Sequence, residues 1–208
     1  GRSRNPDYLK KFPTGTIPSF EDTEIGLLIS ESHAIMCYLC NKYGWNDLYP
    51  SNAESRAKVD SYLHLHHRNV REASIGLVAP KVRKDLNFSE DFLASSNAII
   101  KKAFQAIEDG WLSNSRFLAG DDFTIADISA YVEIGQLQNI FTNVYNFEDY
   151  PNIQRWLDDM KKVDSHDDIH AALYELGDIS EEAPPMEKII NANKKALIVI
   201  QERLASIN

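Results

Sequence analysis

The sequence predicts an α+β fold dominated by helices, and three observations carry that reading. Between Ile17 and Ile29, two short apolar runs flank the turn-like stretch Glu21–Gly26, which is the pattern of a β-hairpin. From about Ser30 onward, apolar residues recur at helical spacing almost to the C-terminus. Leu48-Tyr49-Pro50 interrupts that pattern early, separating a small unit over residues 1–47 from a helical unit over residues 48–208. A chain of 208 residues is long enough to bury a core of this kind.

Each element has its own signal. Asn5–Lys11 reads as the tail of a short helix whose beginning is lost, and Pro13 and Gly15 impose a loop after it. Ile17–Phe20 is a strand entered through Pro18, and Leu27–Ile29 is its partner. A helix starts at Ser30 or Glu31, carries Ile35, Tyr38 and Leu39 on one face, and ends before Gly44. Ser51 and Glu54 have capping-box spacing and launch a long helix through about Ile75, with Val59, Leu63 and Val70 on one face; Pro80 argues against continuation. A second long helix spans Ser89 to Leu112. Thr124 and Asp127 form the next cap, ahead of a segment with Ile128, Val132 and Leu137 that reads as buried. Pro151 suits a first helical position and is followed by Ile153, Trp156, Leu157 and Met160. His166–Leu176 is a short helix stopped by Gly177. Met186–Leu204 is a final amphipathic helix whose apolar stripe, Ile190, Leu197, Ile200 and Leu204, packs on the helical unit or on a partner subunit, or covers the site.

Composition excludes several classes of function. A net charge of −9 argues against nucleic acid or an anionic membrane as partner, since both need a basic footprint. No stretch is long and apolar enough for a transmembrane helix. Two cysteines cannot build a disulfide framework and fit a reducing compartment, so a cytoplasmic location is expected.

The run from Phe12 to Leu39, F-P-T-G-T-I-P-S-F-E-D through S-E-S-H-A-I-M-C-Y-L, closely resembles the glutathione-binding half of cytosolic glutathione transferases. F-L-A-G-D-D-F-T-I-A-D-I-S at Phe117–Ser129 is similar to that family's folding signature, and Y-P-N-I-Q-R-W-L at Tyr150–Leu157 to the helix after it. Arg56–Arg71 looks most like the theta-type members. The resemblance implies the second half of a thioredoxin-like domain followed by the family's all-α domain. It implies conjugation of glutathione to a small hydrophobic electrophile, a role in detoxification, and a homodimer. The family's first βαβ unit, with its activating hydroxyl or thiol, has no counterpart here. The chain is therefore expected to be a fragment, with no catalytic residue assigned within it.

Site residues follow from the same resemblance. The bond before Pro18 should be cis, turning the N–H and C=O of Ile17 outward to pair in β fashion with the cysteinyl unit of glutathione. Ser32 and its amide should hold the γ-glutamyl carboxylate at a helix N-terminus, and Glu31 the ammonium group. The loop holds Thr14-Gly15-Thr16 where many members place a Lys or His for the glycyl carboxylate. Thr16 belongs to the expected site, and Lys11 or Lys10 could supply the missing charge; a solvated, dipole-compensating pair is the equal alternative. On the electrophile side, His67 and Arg71, aligned with Asp60 and His64, are candidates for stabilising negative charge, against a solvated helix face.

Three other patterns are set aside. Cys37-Tyr-Leu-Cys40 has redox spacing but lies inside a helix rather than at its N-terminus. His33 with both cysteines makes a poor metal site, because three ligands on one helix seldom complete a tetrahedron. Tyr8 is the one early hydroxyl of suitable type, and its place on the incoming helix makes it a poor activator. An interaction module, as in the translation elongation factor gamma subunit, is the alternative to an enzyme.

Overall fold

The computed structural model describes residues 2–207. A 3-10 turn over Arg2–Arg4 leads into helix α1, Pro6–Lys11. This helix starts inside the chain rather than trailing from a longer one: the Asn5 side chain caps it, accepting from the Asp7 amide at 2.9 Å. Strands β1, Ser19–Asp22, and β2, Leu27–Ser30, pair antiparallel with Ser19 opposite Ser30. The strand begins two residues later than the apolar run suggests, because Ile17 and Pro18 form a separate, outward-turned corner.

Helix α2, Ser32–Tyr43, follows β2 directly and ends at Gly44, whose φ of 68° suits glycine. The hairpin is tied to it through Asp22, which accepts from the Tyr38 hydroxyl and the Lys42 ammonium, both at 2.5 Å. The Lys42 bond, then the Tyr38 bond, hold the Asp22 carboxyl below its usual range.

Helix α3, Ala53–His66, is capped by Asn52 and not by Ser51: the Asn52 side chain accepts from the Ser55 amide at 2.9 Å. The long helix expected through Ile75 breaks at His67. Asn69 donates its side-chain N–H to the Leu65 carbonyl, and the Arg71 amide reaches back to His66 at 3.0 Å, widening the turn. The chain then continues as a π-helical stretch, Ala73–Val78, and helix α4, Ala79–Val82, past Pro80 and against expectation. Pro80 sits in the opening turn of α4, where a missing N–H costs little. Gly76 lets this stretch approach the next helix closely: a Cβ there would lie 2.4 Å from that of Ser96.

Helix α5, Glu90–Ala106, carries on as a π turn over Ile107–Trp111. Helix α6, Ile125–Ile134, is the central element, with eight of its residues buried. Val132 is the exception to the burial read from sequence; it is 58% exposed. Helix α7, Pro151–Met160, buries Ile153, Trp156, Leu157 and Met160. The helix expected over 166–176 is two short ones, α8, His166–Ile169, and α9, Ala171–Leu176. Helix α10, Met186–Ile207, packs on α8 and α9 through a face centred on Ala192 and Ala196, so Ile190 and Leu197 of the expected stripe point outward. One apolar core, with Tyr62, Phe104, Ile134 and Trp156 at its centre, joins α3, α5, α6 and α7.

Asp127 is the polar knot of that core. Its carboxylate is fully buried and accepts from the Thr124 amide (3.0 Å) and hydroxyl, the Leu118 amide (2.9 Å) and the Trp156 indole (3.0 Å). The capping box read from sequence is present, and it also locks α7 onto the start of α6.

Candidate functional site

A cavity of about 330 Å³ opens where the hairpin unit meets the helical one. Four segments line it: Thr16, Ile17 and Pro18 from the loop, Glu31, Ser32, His33 and Met36 at the start of α2, His66, His67 and Arg71 at the broken end of α3, and Ile128, Ser129, Val132 and Glu133 from α6.

The first wall is backbone. The Ile17–Pro18 bond is cis, the form implied by the resemblance, and Ile17 is 74% exposed. Among the described residues its N–H and C=O make no hydrogen bond. The corner is held from behind: the Tyr8 hydroxyl donates to the Thr16 carbonyl at 2.7 Å, and Ser19 donates to the same oxygen. Tyr8 is therefore a brace.

Glu31 caps α2 with a φ of 78° and a ψ of 119°, a region that non-glycine residues rarely enter. Its side chain makes no capping bond, and Ser32, the first helical residue, also keeps its hydroxyl unused among the described residues. A strained residue and an uncapped helix start at a cavity mouth fit an anion arriving from outside, since the first-turn amides and the positive dipole end both face outward.

The second wall is made of side chains. His33 Nε2 and Ser129 Oγ share a bond of 2.6 Å, and the same hydroxyl lies 3.3 Å from His66 Nδ1, which Tyr62 also approaches at 3.3 Å. The ring of His67 stands 4.6 Å from that of His33. Burial, then the neighbouring histidines, push His33 down to about 4 and His66 to about 3, so both are neutral at physiological pH. Beyond them, Arg71 donates to the buried carboxylate of Glu133.

The cavity thus brings together Thr16, Ile17, Pro18, Glu31, Ser32, His67 and Arg71. It leaves out Lys11, whose ammonium pairs with Glu21, and Lys10, which pairs with Asp7. Asp60 and His64 do not line it either; Asp60 accepts from Tyr49. Burial pushes the Cys37 and Cys40 thiols up, as befits apolar filling rather than redox chemistry.

A family model of the glutathione S-transferase N-terminal domain matches residues 1–50, and one of the C-terminal domain matches residues 69–162. The chain belongs to the glutathione transferase family. Glutathione S-transferase 1 of Manduca sexta is 29% identical over 180 residues, covering 79% of this chain and 72% of that protein. Glutathione S-transferase T3 of Arabidopsis thaliana is 28% identical over 185 residues; the match covers 84% of this chain but only 31% of that protein's length. Among solved structures, a glutathione transferase of Bombyx mori superposes with a TM-score of 0.67 at 29% identity, over 78% of this chain and 71% of that one. The fold is the family's, a thioredoxin-like N-terminal part and an all-helical C-terminal part.

Sequence reasoning missed His33, His66, Ser129 and Glu133 as lining residues. Their pairings join residues 62 to 96 positions apart, and no local motif announces them.

Proposed function

We propose that this chain binds glutathione between the Ile17 corner and the start of α2 and takes part in conjugating it, through its sulfur, to a small hydrophobic electrophile. The observation that carries the reading is the convergence of an unpaired backbone edge at Ile17 with the open N-terminus of α2, where Glu31 and Ser32 have idle side chains. Glutathione offers a matching set of groups. Its cysteinyl amide pairs with Ile17, its γ-glutamyl carboxylate with Ser32 and the first-turn amides, and its ammonium with Glu31. The family membership and the transferase names of the relatives support the same activity.

In the reaction the thiol releases its proton to solvent, the sulfur forms a bond to the electrophilic carbon, and the leaving group departs with its electron pair. Residues of this chain hold the peptide and wall off water with Met36, Ile128 and Val132. No described residue is assigned to activate the thiol, since Tyr8 is occupied by Thr16. We further read residues 1–47 as the glutathione-binding unit and 48–208 as the helical unit, in a cytoplasmic homodimer acting in detoxification; among the described residues no helix is long and apolar enough to cross a membrane.

Retention on immobilised glutathione, eluted by free glutathione, tests the binding step. The wild type should be retained and Ser32→Ala should pass through. Equal retention of both would overturn the proposed placement.

A further inference from the structure

We propose that Glu133 selects the second substrate by accepting a hydrogen bond from it, so that the preferred electrophile carries a neutral donor, a hydroxyl or amide N–H, on its otherwise apolar body. This rests on reading the cavity as the glutathione and electrophile site.

Glu133 sits near the end of α6 and lines the cavity, yet its side chain is 2% exposed. One carboxylate oxygen, Oε1, takes the guanidinium of Arg71. The other, Oε2, is buried and has no partner among the described residues. Buried acceptors without partners are rare, because each forfeits its water without a replacement. A partner that arrives with the ligand accounts for this one.

The surroundings narrow its chemistry. Arg71, half-exposed beside the carboxylate, offsets its charge and repels a cation, which favours a neutral donor over an ammonium group. Ile128, Val132 and Met36 supply the apolar remainder of the wall, so the ligand is apolar apart from that donor. A ligand lacking the donor leaves Oε2 without a partner, as it is in the free protein. Sites built to hydrogen-bond reject such analogues more strongly than apolar pockets reject a changed methyl. The Ser129 hydroxyl links His33 Nε2 to His66 Nδ1, and His33 Nδ1 is a second buried atom without a partner among the described residues; Glu133 Oε2 is the carboxylate oxygen of the two.

Calorimetric titration of the whole chain with three glutathione conjugates tests the inference: S-(4-hydroxymethylbenzyl)-, S-(4-ethylbenzyl)- and S-(4-methoxymethylbenzyl)glutathione. They are similar in size, and the first alone carries the donor. The hydroxymethyl conjugate should bind about tenfold tighter than the other two, the scale of one hydrogen bond to a charged acceptor. In Glu133→Gln the preference should shrink, and in Arg71→Met it should widen as the carboxylate loses its internal partner. Equal binding of all three to the wild type, or a preference that survives in Glu133→Gln, would overturn the role of Glu133. If Glu133→Gln fails to fold by its melting curve, Arg71→Met decides: a wider preference supports the role and an unaltered one overturns it. Glutathione alone, titrated in parallel, reads the peptide side separately. Binding of glutathione without any preference among the conjugates sinks this inference only; failure of all four ligands sinks the glutathione reading with it.

Discussion

The two walls of the cavity are built on opposite principles. The wall from Thr16 to Ser32 offers unpaired backbone and idle side chains: an exposed corner at Ile17, a strained Glu31, an uncapped helix start. The wall from α3 and α6, with His33 of α2, is largely closed on itself: Ser129 links His33 to His66 and Arg71 closes onto one oxygen of Glu133, leaving Glu133 Oε2 and His33 Nδ1 without partners among the described residues. The difference teaches where affinity and choice reside. An invariant peptide is best held by backbone and a helix dipole, which few substitutions can alter. A variable second substrate is best met by side chains, which can change singly.

The strongest perturbation should break both walls at once. Asp127 anchors the start of α6 to α7 through four accepted bonds, so Asp127→Ala leaves buried amides and an indole unpaired. We expect a loss of about 3 kcal/mol or more, read from the denaturant midpoint. That exceeds the roughly 0.5–2 kcal/mol of an ordinary cap. A loss within the capping range would show that the knot is not what holds the α6 wall.

Smaller changes should separate the walls. Ser32→Ala should weaken glutathione about tenfold, as for a hydrogen bond to a charged group, while the thermal midpoint stays in place. A fall in stability without a fall in affinity would make Ser32 a structural residue after all.

The side-chain wall should reveal itself through pH. His33 and His66 have folded values near 4 and 3, far below the ordinary 6.5, because burial disfavours the cation, with His67, His64 and Arg71 adding repulsion. As pH falls below 6.5 the unfolded chain takes up protons that the folded chain refuses, so stability drops from there toward about pH 4. The slope is at most about 1.4 kcal/mol per pH unit for each histidine. His33→Asn should flatten it. Asp159, held down to about 2 by its Arg116 bond and then by Lys162, makes its own loss only below the usual carboxylate range, outside that window. A stability curve flat between pH 6.5 and 4 would contradict the buried neutral pair.

The smallest effect is the most diagnostic of strain. Glu31→Gly relieves a positive φ and should raise stability by about 1 kcal/mol while lowering glutathione affinity through the lost ammonium partner. Stability and affinity changing in the same direction would remove the case that strain at Glu31 serves the ligand.

How legible each wall was follows from its construction. The backbone wall lies within residues 16–32 and could be read as one contiguous motif, down to the proline and the Glu-Ser pair. Thr124 and Asp127 were legible for the same reason, being three residues apart. The side-chain wall was not, because His33 meets Ser129 and Arg71 meets Glu133 only after α2, α3 and α6 have packed. Helix periodicity even pointed the wrong way there. It extended α3 smoothly past His67, whereas Asn69 diverts the turn and sends Arg71 toward α6. Val132 read as core by its period and is instead a lip of the cavity.

The amide of Ile17 offers the most direct test of the whole account. In a nuclear magnetic resonance titration with glutathione, the Ile17 and Ser32 amides should shift together and exchange more slowly with solvent as the peptide covers them. Saturating glutathione that leaves both amides unmoved, or shifts only residues outside the cavity, would contradict it.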